Sequence, residues 1–130
     1  MSYSDAKYGL ERRIVIDEED DVGSTGVSKG SASVSRKSKI IKFGLIPNDA
    51  DVICSTTTTF VLELDDGTDL GSFTPGKATL GTGTATGVTI TATSVALNSV
   101  VRVNVTEAGS SGSVNYYVDV REQFDTSDSA

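Results

Sequence analysis

Two alternating runs toward the C-terminal end leave this chain little choice but extended strands. Val101, Val103 and Val105 alternate with Arg102, Asn104 and Thr106; further on, Val114, Tyr116, Val118 and Val120 alternate with Asn115, Tyr117, Asp119 and Arg121. A period of two buries one face of a strand and leaves the other wet. Separated by the Gly/Ser-rich residues 107–112, the two runs read as a β-hairpin. A lone hairpin is marginal in water, so the rest of the chain has to supply a second layer of strands for it to lie on.

Several other stretches have the same character. Residues 58–64 put Phe60, Leu62 and Leu64 on one face, with Val61 and Glu63 on the other, and residues 65–69 follow with an Asp-Gly turn signal. Three aspartates in that turn do not follow the spacing of a calcium loop. Alternation through Ala32, Val34 and Arg36 leads into residues 39–46, an apolar run edged by lysines and stopped by Pro47. Residues 70–77 read as a loop or a short edge strand. The glycine-rich residues 80–87 lack the Lys-Ser/Thr of a phosphate loop, and strand-like residues 88–92 follow them where a phosphate loop would lead into a helix. Residues 11–16 form a short strand that the acid run 17–21 then ends; the acid run itself reads as a solvated turn in preference to an ion site or a docking patch.

No window of ten residues shows a helical period, and Ser and Thr, about a quarter of the chain, favour strands and turns. The expected architecture is all-β: a single antiparallel β-sandwich, jelly-roll-like or Ig-like, over residues 31–124. An extended N-terminal arm over residues 1–30 precedes it, and a disordered-type tail over 125–130 follows. With 37% hydrophobic and 6% aromatic residues, the core is thin, and neighbouring subunits are expected to contribute to stability.

Charge is unevenly placed. Residues 1–22 hold three bases and seven acids, residues 23–47 five bases and no acid, and residues 48–130 three bases and eleven acids, for a net charge of −7. An acidic body with one basic stretch argues against nucleic-acid binding. Lysines in that stretch either guard an exposed strand edge or face an acidic neighbour. The chain has no histidine, which excludes triad chemistry and histidine metal sites, and its acid clusters sit in turns or tails with nothing apolar to raise a pKa. No catalytic, cofactor or metal residues are therefore expected. The single Cys54 has no internal disulfide partner and reads as a small buried residue. Neither an apolar signal segment nor a membrane-length apolar run is present, which leads to an expectation of synthesis in a cytoplasm and no membrane partner.

The order of these features resembles the small β-sandwich decoration, or cement, proteins on the capsids of tailed bacteriophages. The likeness rests on the lysine-edged strand 39–46, the Thr-rich strand and aspartate turn 55–71, the Gly/Thr/Ala-rich middle 78–92 and the valine-rich strands 100–121. That resemblance implies a structural virion protein on the outer surface of the capsid. Its partners would be the major capsid protein and other copies of itself, a trimer being one arrangement, with no cofactor. The residues expected to make the contacts are Tyr3, Tyr8, Arg12 and Arg13 in the arm, and Lys37, Lys39 and Lys42 in the basic stretch. Rival readings are a carbohydrate-binding or host-adhesion module, for which Tyr117 is the best sugar-stacking ring, and a tail or baseplate subunit.

Overall fold

The computed structural model describes residues 10–23, 25–28, 30–34, 36–106 and 109–122. Among them are eleven strands: β1 (Leu10–Asp21), β2 (Gly26–Val27), β3 (Ala32–Ser33), β4 (Ser38–Pro47), β5 (Val52–Cys54), β6 (Thr59–Leu64), β7 (Asp69–Phe73), β8 (Ala78–Leu80), β9 (Thr86–Val95), β10 (Val100–Thr106) and β11 (Ser113–Glu122). A four-stranded sheet in the order β1-β11-β4-β9 faces a five-stranded sheet in which β10 carries β2 and β3 on one side and β6 then β7 on the other. β5 and β8 form a separate two-stranded ribbon. Every pairing is antiparallel, and the architecture is the expected β-sandwich.

The alternating residues supply the core. Val101, Val103 and Val105 of β10 and Val114, Tyr116, Val118 and Val120 of β11 are all buried, as their period requires. They meet Ile40, Phe43 and Leu45 of β4 and Phe60 and Leu62 of β6. Rings stitch the two layers together: Phe43 lies edge-on to Phe73 at 5.4 Å, Phe73 sits 5.3 Å from Phe60, and Phe60 sits 6.1 Å from Tyr116. Fully burying such a side chain contributes roughly 1.5–3 kcal/mol, so these few rings are a large share of a thin core.

Three expectations need correction. First, β10 and β11 are not a hairpin: β10 pairs with β2, β3 and β6, and β11 pairs with β1 and β4. The two strands thus lie in different sheets. Each strand is interior to its own sheet, and a period-two pattern specifies which face is buried without specifying the neighbour. Second, the acid run does not end β1. The strand continues through Asp17–Asp21 by means of two register shifts, with Glu19 at φ 55°. The span expected as an arm thus contains β1 and β2, both paired into the sheets. Third, the lysines of β4 guard no edge, because β4 lies between β11 and β9.

The turn at residues 65–69 forms as read. Leu64 N–H donates to Thr68 O at 2.9 Å, and Gly67 takes a φ of 91° that disfavours a side chain. β7 is the short edge strand.

Candidate partner-binding face

The outward face of the four-stranded sheet is assembled in rows by strand register. One row runs Glu11, Arg121, Lys39, Ser94; the next runs Arg13, Asp119, Lys42, Thr89; the third runs Val15, Tyr117, Gly44, Gly87. Three of the expected contact residues, Arg13, Lys39 and Lys42, therefore arrive together on β1 and β4, with Arg121 between them. In these rows four cations stand with two carboxylates, in a chain whose net charge is −7.

Within the rows, opposite charges are matched. Arg13 forks onto Asp119, Nε to Oδ1 at 2.7 Å and Nη2 to Oδ2 at 3.0 Å, and this pairing raises the guanidinium pKa. Arg121 Nη2 donates to Glu11 Oε1 at 2.8 Å. Pairs this exposed contribute about 0.2–1 kcal/mol each, so they order the surface more than they stabilise the fold. Beside them a shallow groove of about 230 Å³ is lined by Glu11, Arg12, Arg13, Ile41 and Asp119.

The third row explains how flat this face is. Tyr117 points outward by register yet is only 1% exposed, because its ring lies down along the sheet. Room for it comes from Gly44: a Cβ there would meet Tyr117 Oη at 2.5 Å and Thr86 O at 2.6 Å. The guanidinium of Arg13 covers the ring from above, 4.0 Å from its centroid. Burial pushes the phenol pKa up, Arg13 offsets part of that rise, and among the described residues the hydroxyl has no hydrogen-bond partner. Sequence reasoning missed this row; the available signal was a glycine inside each of two strands, which marks a close approach.

Among the described residues, Arg12 and Lys37 do not join these rows. Arg12, adjacent to Arg13 in an extended strand, turns the other way and pairs with the buried Glu122 at 2.8 Å, where Arg36 also reaches to 3.9 Å. Lys37 precedes β4 in the segment leading into the sheet. Tyr3 and Tyr8 lie outside the described residues.

The acid run occupies the opposite end of the same sheet, opposite residues 113–116 of β11. It is built into the fold: Asp17 Oδ2 accepts Gly30 N–H at 2.8 Å, Asp21 Oδ1 accepts Gly23 N–H at 2.7 Å, and Glu19 N–H donates to Asn115 Oδ1 at 3.0 Å. Burial, then the neighbouring Asp17, raises the pKa of Asp20. Burial and the same carboxylates raise that of Tyr116 beneath it. Among the described residues no group of three or more Asp, Glu or Cys is placed to hold a metal ion.

A second concavity, about 670 Å³, lies along the β5–β8 ribbon beside the exposed Ile53. Cys54 at its wall is buried and burial pushes its thiol pKa up, which keeps it protonated and unreactive.

Compared with models of known protein families, with curated proteins and with solved structures, the chain matches none.

Proposed function

We propose that this protein is a structural subunit that decorates the outside of a tailed-phage capsid, binding the major capsid protein through the outward face of its four-stranded sheet. The observation that carries the reading is the convergence of Arg13, Lys39, Lys42 and Arg121 on one flat sheet face of an otherwise acidic molecule. A rigid, low-relief surface with a local excess of positive charge suits a broad contact with an acidic shell, where complementarity governs encounter and register. Many weak contacts repeated over a shell add to a large total. The resemblance in strand order and composition to capsid decoration proteins points the same way.

The adhesion reading loses its main support. Sugar rings stack on exposed aromatics, and among the described residues no tyrosine or phenylalanine is exposed. Tyr117, the best candidate, is covered by Arg13.

Binding of the full chain to undecorated capsids tests the proposal. Lys39→Glu with Lys42→Glu is expected to lower affinity by about tenfold or more and to flatten its salt dependence, since two favourable charges become unfavourable at the contact. Wild-type occupancy by the double variant at all salt concentrations would rule out this face.

A further inference from the structure

Sheet edges in this fold are protected in different ways, and one is not protected by charge, proline or shortness. β1 carries eight charged residues among its 12. β7 is five residues long, and β2 and β3 are two residues each. β9 is ten residues, TGVTITATSV, with no charge and no proline. It pairs with β4 on one side only, and among the described residues no backbone hydrogen bond outside the strand ladders reaches it. Residues 86–89 stay in regular register with residues 42–45 of β4, so this part of the edge is a straight template. Such a window combines strand propensity with zero charge, the composition that pairs most readily with another strand.

We propose that β9 is a self-association site: it adds in antiparallel register to β9 of a second copy, joining two four-stranded sheets across a two-fold axis. The free backbone donors and acceptors of an edge call for an extended backbone as occupant. An isologous contact further requires a segment that can face itself. β1 against β1 would add a second acid run to Asp17–Asp21, whereas β9 against β9 opposes no charges. Thr86 and Thr89 are suited to cross-strand pairing there. The lysines tolerate the arrangement as well. Lys39 and Lys42 lie one strand in from the edge, so the two β4 strands end up three strand spacings apart, roughly 14 Å. That exceeds the ~8 Å screening length at physiological salt. The basic face is thereby doubled without being disrupted. This inference goes beyond capsid binding and stands without it.

The test uses the full chain free in solution. Sedimentation equilibrium and native mass spectrometry across the micromolar range should show a concentration-dependent dimer, with amide exchange over residues 86–95 slowing as the dimer forms. Thr89 and Ser94 face Lys42 and Lys39 of β4 in register. The double variant T89D/S94D therefore places each acid opposite a lysine of its own sheet, which keeps the fold, while adding like charge along the joint. It should dimerise at least tenfold more weakly with an unchanged melting temperature. A chain that remains monomeric throughout, a trimer, or a double variant that associates like wild type would each overturn the proposal. If the free chain is monomeric and the β9 amides become protected only on capsids, the edge belongs to a shell partner; self-pairing then falls while decoration survives.

Discussion

The two outward faces of the sandwich are made from the same kind of alternating strand and end up chemically unlike. On the four-stranded sheet the outward rows carry Glu11, Arg13, Lys39, Lys42, Asp119 and Arg121, with Tyr117 sealed flat beneath Arg13. The five-stranded sheet turns out Thr59, Val61, Asn104 and Thr106, and an ion pair on these strands joins Arg102 to the buried Glu63 at 2.8 Å. One face has a ring packed flat outside the core, and the other mixes polar side chains with Val61 and the exposed Val27. Position on a surface therefore says little about energetic weight; what lies over or under the residue decides it.

Gly44→Val offers the harshest way to break that contrast. The new side chain has no room beside the Tyr117 ring and the Thr86 carbonyl. Overpacking and loss of the buried ring are expected to cost about 3 kcal/mol. Asn104→Ala, at a comparable outward position on the other sheet, should stay within about 0.5 kcal/mol. Urea unfolding of the two variants side by side measures the difference; equal midpoints would mean that the Tyr117 row contributes nothing. A middle case comes from Glu63→Ala. It leaves Arg102 without its carboxylate, but Arg102 is partly exposed and can rehydrate, so a loss of about 1–2 kcal/mol is expected by the same assay.

The lysine reversal sharpens the comparison from the side of function. Lys39→Glu with Lys42→Glu should move stability by no more than about 0.5 kcal/mol while shell binding drops, which separates a recognition face from a structural one. The smallest effect concerns the acid end of the same sheet. The folded-state pKa of Asp20 is raised by burial and by Asp17, so the folded chain holds that proton more tightly than the unfolded chain does. Its charged form thus costs stability above the raised pKa, and the cost is relieved as pH falls through it. Asp20→Asn is expected to raise stability at neutral pH by about 0.5 kcal/mol. That gain should vanish below the usual aspartate value of 3.8, where both side chains are neutral. Thermal melts at several pH values check it; a gain that persists in acid would assign it to packing instead of charge.

Much of the fold was legible in residue order. Val101, Val103 and Val105, the even-numbered residues 114–120, and Phe60 with Leu62 were placed on their buried face correctly, and the Asp-Gly turn at residues 65–69 forms where its residues indicate. The candidate face was half legible. Arg13, Lys39 and Lys42 were picked out as charges, but their convergence depends on β1 lying against β11, and the acid run had hidden the true length of β1. Arg12 and Arg13 read as one anchor in sequence; an extended strand sends neighbours to opposite faces, so they serve different partners.

Alternation and composition alone settle that this chain is built of strands, which face of β6, β10 and β11 meets the core, and that the Asp-Gly segment turns, because those follow from the two-residue repeat and from local backbone preferences. Which strand lies beside which belongs to the assembled molecule. β10 and β11 carry interchangeable patterns and part company only because each needs two neighbours, and Tyr117 becomes a buried ring only because Gly44 is brought beneath it. Pairing across a sheet is a long-range choice among nearly equal local options, and burial of the shared core is what makes it.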